Sequence, residues 1–121
     1  MAQACVQPIQ ISLDFRKDSV ELDSEQIVRL ANWLADLRTR AQYEEADVEG
    51  VADESAANGQ ELAAGRAEAA TKALRALYAG LPVRVMSRTY PRTTATSKTD
   101  YAAIQLYPRE VPDCPNPVPV R

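Results

Sequence analysis

Val48-Glu49-Gly50-Val51-Ala52-Asp53, followed after a short polar loop by Leu62-Ala63-Ala64-Gly65-Arg66-Ala67, is the stretch that decides the fold. From Tyr43 to Ala52 the chain has a period of two, with Ala46, Val48, Gly50 and Ala52 on one face and Asp47, Glu49 and Val51 on the other, which predicts a strand ending at Asp53. Glu54-Ser55-Ala56-Ala57-Asn58-Gly59 is small and polar, as loops are. Glu61 to Ala79 is rich in Ala, Leu, Arg and Glu, which lose little side-chain freedom on entering a helix, and Gly80 and Pro82 stop that helix. A strand that feeds a helix of this length implies a crossover, so the helix lies on the face of a sheet.

Upstream, Ile9, Ile11, Leu13 and Phe15 alternate with polar residues and predict a first strand with one buried face. Asp23-Ser24-Glu25-Gln26 reads as a helix start, with Asp23 as cap and Gln26 reaching back to it. Ile27, Leu30, Ala31, Leu34 and Leu37 follow at helical spacing, and the basic residues from Arg38 suit the negative end of the helix dipole. Downstream, residues 83–90 and 101–107 read as two strands joined by a turn-rich connector, which can form an antiparallel hairpin. The order βαβαββ predicts a two-layer α/β sandwich, with two helices on one face of a mixed four-stranded sheet. Residues 8–107 form that domain, between an N-terminal tail (1–7) and a proline-rich C-terminal tail (108–121).

Composition narrows the function. The chain has 121 residues, 45% of them apolar and 26% charged, which is a globular composition for one domain. A net charge of −3 gives no basic footprint for nucleic acid or an anionic membrane, and no apolar run reaches the ~20 residues of a membrane span. Histidine is absent, which removes His-based nucleophile pairs, general bases and metal ligands, and two cysteines cannot build a four-thiolate zinc site. A non-catalytic protein without cofactor or metal is expected. Cys5 and Cys114 sit near opposite ends; a bridge between them closes a loop of about 110 residues and contributes ~4–5 kcal/mol in an oxidising compartment, the alternative being two free thiols. Met1-Ala2-Gln3-Ala4-Cys5 is too short and polar to act as an export signal, so any such signal is expected outside these residues.

The second helix carries an apolar stripe of Leu62, Ala69, Ala70, Ala73 and Leu77, and Arg66 falls on it. A guanidinium there must snorkel out or meet an acceptor, because an unpaired buried charge is costly. Asp53 leaves the preceding strand at the same end of the sandwich. Either the two residues pair and pin the loop, or they form a clamp for a zwitterion, with Arg66 taking a carboxylate and Asp53 an ammonium group.

At these residues the sequence resembles the C-terminal peptidoglycan-binding domains of outer-membrane protein A and the peptidoglycan-associated lipoproteins. Val48-Glu49-Gly50-Val51-Ala52-Asp53 is similar to the family's V-E-G-H-(T/A)-D strand, and Leu62-Ala63-Ala64-Gly65-Arg66-Ala67 to its L-S-x-R-R-A helix opening. Leu13-Asp14-Phe15 and Val20-Glu21-Leu22 have the family's look as well. The resemblance implies non-covalent binding of a peptidoglycan stem peptide through diaminopimelate by Asp53 and Arg66, in a periplasmic, outer-membrane-associated protein. The chain departs from the pattern at Val51, Gly65, Gly59 and Tyr101-Ala102-Ala103. Those departures leave a second reading open, a domain of the same fold that has lost peptidoglycan and serves as an accessory or immunity-type envelope protein with a protein partner. Elsewhere, the acids Glu44, Glu45, Asp47 and Glu49 read as a solvated strand face, and Arg84, Arg88, Arg92 and Lys98 as a solvated basic edge that blocks strand addition.

Overall fold

The computed structural model describes residues 8–92 and 98–108. Along them run β1 (Ile9–Asp14), α1 (Ser24–Arg38), β2 (Tyr43–Asp53), α2 (Gly59–Leu77), β3 (Val83–Tyr90) and β4 (Tyr101–Pro108). The sheet order is β1-β4-β2-β3, with β2 and β3 parallel and β4 antiparallel to both β1 and β2. The mixed four-stranded sheet is as expected from the element order. Cys5, Cys114 and the two tails beyond residues 8 and 108 lie outside the described residues.

The expected β3–β4 hairpin does not form. β4 runs antiparallel, but it fills the slot between β1 and β2. There both of its edges are hydrogen-bonded, and alternate residues Ala102, Ile104 and Leu106 are fully buried under the helices. The segment between β3 and β4, residues 91–100, is longer than the ~2–5 residues of a hairpin loop, so the two strands need not be neighbours.

Leu13, Leu30, Leu34, Val48, Leu74, Ile104 and Leu106 form the centre of the core, each at most 2% exposed. The face that α2 turns inward is Leu62, Ala63, Arg66, Ala67, Ala70, Thr71 and Leu74. Ala69, Ala73 and Leu77 lie at its margin, only partly buried. An alanine-rich helix is apolar almost all round, so its sequence defines the stripe only loosely; contact with β2 fixes it. A Cβ on Gly50 would stand 2.0 Å from the Ala63 carbonyl oxygen and 2.5 Å from the Ala67 nitrogen, so α2 lies against bare β2 backbone there. On α1, Leu30, Leu34 and Leu37 are buried, whereas Ile27 is exposed.

The start of α1 also differs in detail. Asp23 precedes the helix, but its side chain makes no cap bond and instead pairs with Arg16 at 2.9 Å. Gln26 reaches across to the sheet, where its Oε1 accepts from the Asp14 N–H at 3.0 Å. Among the described residues no helix is long and apolar enough to cross a membrane.

Candidate functional site

Because β1, β2 and β3 run parallel to one another, their C-terminal ends share one edge of the sandwich. That edge collects the β1–α1 loop, the β2–α2 loop and the β3–β4 connector. In open α/β sheets this is where ligands are held, above the point at which neighbouring strands diverge. Here β1 and β2 are separated by the returning β4.

Arg66, on the second turn of α2, points to this edge from inside and is 0% exposed. Its Nε donates to the Ser19 carbonyl at 2.9 Å, and one terminal nitrogen donates to the carbonyls of Val51 at 2.9 Å and Thr99 at 3.3 Å. The other terminal nitrogen donates to the Arg16 carbonyl at 3.3 Å. The carbonyls come from all three parts of the edge: the first loop, β2 and the connector. A guanidinium has five N–H donors and no acceptor, which suits a convergence of backbone oxygens. The Phe15 ring, 5.6 Å away, covers one face of it.

The carboxylate that neutralises Arg66 is Asp100, whose Oδ1 is 3.0 Å from the guanidinium. Asp53 has other partners: its Oδ1 accepts from the Ser55 N–H at 3.0 Å and the Ser55 hydroxyl at 2.9 Å. The pairing of Asp53 with Arg66 is therefore replaced by an Arg66–Asp100 pair, and Asp100 is a site residue that sequence reasoning missed. Its only signal is its position just before the last strand. A β3–β4 hairpin would place Asp100 on the far side of β3 from β2, whereas β4 paired between β1 and β2 starts beside the end of β2 and puts Asp100 next to Arg66.

Asp53, Asp100 and Arg92 open onto a cleft of about 490 Å³ whose walls also include Lys17, Asp18, Ser55, Asn58 and Thr99. Arg66 is not in these walls; it lies beneath Asp100. Hydrogen bonds from the Ser55 backbone and then its hydroxyl hold the Asp53 carboxyl below the usual carboxylate value, with Arg92 and Lys17 adding a smaller electrostatic pull. Asp53 is thus a pre-oriented, ionised acceptor. Arg92 approaches Asp100 Oδ2 at 3.8 Å and the Thr99 hydroxyl at 3.4 Å. Lys17 has no ion-pair partner among the described residues. Two cations and three carboxylates around one cleft can hold a small ligand that carries both signs of charge.

Asp47 and Glu49 of β2 lie on the sheet face away from the helices and are engaged across strands. Asp47 pairs with Arg84 at 2.8 Å and accepts from the Tyr107 hydroxyl at 3.0 Å, while Glu49 pairs with Arg88 at 3.3 Å. The basic strip is accordingly less a free solvated edge than the positive half of these pairs, with Lys98 joined to Asp14 at 3.4 Å. Among the described residues no group of three or more His, Cys, Asp or Glu side chains could hold a metal ion.

The α/β sandwich with sheet order β1-β4-β2-β3 is shared with solved OmpA-like domains, and this chain has the OmpA-like fold. It is similar in structure to the cell wall anchor of the T6SS from Pseudomonas aeruginosa, at TM-score 0.59 and 17% identity over 88% of this chain and 86% of that one. The OmpA-like domain of FopA1 from Francisella tularensis subsp. tularensis SCHU S4 matches at TM-score 0.57 and 15% identity, covering 84% of this chain and 73% of that one. The peptidoglycan-associated lipoprotein from Burkholderia pseudomallei matches at TM-score 0.53 and 21% identity, covering 79% of this chain and 88% of that one. No protein-family model matches the sequence, and no curated protein matches it.

Proposed function

We propose that this chain is a non-catalytic module of the cell envelope that binds the peptidoglycan stem peptide through diaminopimelate. The observation that carries the reading is the mixed-charge cleft at the end of β2, with Asp53 held ionised beside Lys17 and Arg92. Diaminopimelate offers, at its free end, an ammonium and a carboxylate on one carbon, the pattern such a cleft suits. Asp53 accepts the ammonium directly. Arg66 contributes from beneath, by fixing Asp100 and the loop carbonyls that shape the cleft floor. Each charge-assisted hydrogen bond contributes ~1.5–3 kcal/mol, so two or three give specific but modest affinity. The fold shared with a cell wall anchor and a peptidoglycan-associated lipoprotein supports the same reading and a periplasmic, outer-membrane-associated location.

Co-sedimentation with insoluble sacculi tests it. Wild-type protein should pellet with diaminopimelate-containing peptidoglycan, Asp53→Ala should stay in solution, and a soluble stem peptide should raise the melting temperature by mass action. A wild-type protein that neither pellets nor responds to millimolar stem peptide refutes the reading and favours an envelope protein as partner.

A further inference from the structure

Arg66 spends its charge on Asp100 and its N–H groups on four backbone carbonyls, and presents no surface to solvent. To take a ligand carboxylate it would have to give up bonds at the centre of the edge, leaving buried oxygens of Val51 and Thr99 without their donor. Arg92 is placed differently. Its side chain is 47% exposed, it lines the cleft, and its bonds to Asp100 and Thr99 are long. Asp100 links the two arginines, since one of its oxygens is held by Arg66 and the other faces Arg92.

We propose that the carboxylate of the bound zwitterion is received by Arg92, with Lys17 as a second cation on the cleft wall, and that Arg66 is a positioning residue acting through Asp100. This rests on the peptidoglycan reading above. Electrostatically the cleft then has two sides: Asp53 for the ammonium, and Arg92 with Lys17 for the carboxylate. Arg92 can offer two parallel N–H groups to a carboxylate, which an ammonium cannot do, so it also supplies orientation. The buried ion pair is the anchor that keeps this exposed arginine beside the cleft rather than spread into solvent.

The test compares two stem peptides, one carrying diaminopimelate and one carrying lysine in its place, which keeps the side-chain ammonium but lacks the far carboxylate. Dissociation constants are measured calorimetrically for wild-type protein, Arg92→Gln, Lys17→Gln and Asp100→Asn, with Arg88→Gln on the opposite sheet face as control. Wild type should prefer the diaminopimelate peptide by at least about tenfold, the scale of one charge-assisted bond. Arg92→Gln should bring that ratio close to one while its ligand-free melting temperature stays with wild type; Lys17→Gln should reduce the ratio partially, and Arg88→Gln should leave it unchanged. Asp100→Asn should reduce the ratio as well, which a purely structural role would not do even if the melting temperature fell. Wild-type preference that persists in Arg92→Gln overturns the inference and leaves the peptidoglycan reading intact. An unchanged ratio in Asp100→Asn overturns the positioning role. Wild-type protein that binds neither peptide nor sacculi overturns both readings together.

Discussion

Arg66→Met tests whether the guanidinium is the keystone of the loop edge. Methionine keeps a long flexible stem and removes every donor. The two bonds to Val51 and Thr99 are buried, so their carbonyls lose a partner that water does not readily replace. At ~1–3 kcal/mol for each buried acceptor left unmade, these two cost about 2–6 kcal/mol. The carbonyls of Ser19 and Arg16 are only part-buried, and Asp100 is 30% exposed, so solvent compensates most of their share. The expected loss is ~3–5 kcal/mol, the range for removing one partner of a buried ion pair. That is a large fraction of the ~5–15 kcal/mol that holds a domain folded. Urea denaturation followed by circular dichroism reads it as a lower midpoint at unchanged slope, and thermal melting as a fall of more than ~12 °C, at ~4–8 °C per kcal/mol for a domain of this size. Arg92→Met, which removes an exposed pair on the same carboxylate, should move stability by no more than ~0.5–1 kcal/mol. A loss below ~1 kcal/mol in Arg66→Met would refute the argument, since it would mean that the carbonyls find water as readily in the folded protein as outside it.

Gly50→Ala should destabilise by several kcal/mol and lower expression of soluble protein, because the new methyl meets backbone atoms of Ala63 and Ala67, which cannot move without lifting α2 off the sheet; a melting temperature within a few degrees of wild type would contradict the close contact. The Asp53 carboxyl should titrate below its ordinary value of 3.8 by carbon-detected NMR, and Ser55→Ala, which removes the hydroxyl but keeps the backbone N–H, should move it part of the way back up. Since the folded-state pKa is the depressed one, the contribution of Asp53 to stability is present above about 3.8 and is lost as pH falls through the lower folded value; a titration at or above 3.8 refutes the assignment. Cys5 and Cys114 should form a disulfide in protein oxidised by molecular oxygen or a disulfide-exchange catalyst, the outcome expected for an envelope domain that meets an oxidising compartment. Unreduced protein should then lack the mass of two hydrogens, and two freely alkylated thiols after oxidation would refute the bridge.

The sequence by itself determined the elements and their layering. Period-two alternation in residues 43–53 and a helix-forming run beyond Gly59 are local properties, set by how side chains project from a strand or a helix, and the fold agrees with both. It also singled out Asp53 and Arg66, because a charge among apolar residues is visible without coordinates. What it left open was every choice that depends on which distant segments meet. The place of β4 is one, because an alternating strand such as residues 101–107 pairs equally well in a hairpin or in a slot, and only burial of both its edges selects the slot. The inner face of α2 is another, since Ala63, Ala67 and Ala70 are chemically no different from Ala69 and Ala73 until Gly50 gives the helix a place to approach. The partner of Arg66 follows from the first of these choices: with β4 between β1 and β2, Asp100, just before β4 and remote in sequence, lies 3.0 Å from a guanidinium for which the sequence offered either Asp53 or a ligand carboxylate. Local chemistry fixed that a buried arginine needs acceptors; only tertiary structure decided which ones, because the energy of a buried charge depends on what surrounds it in space.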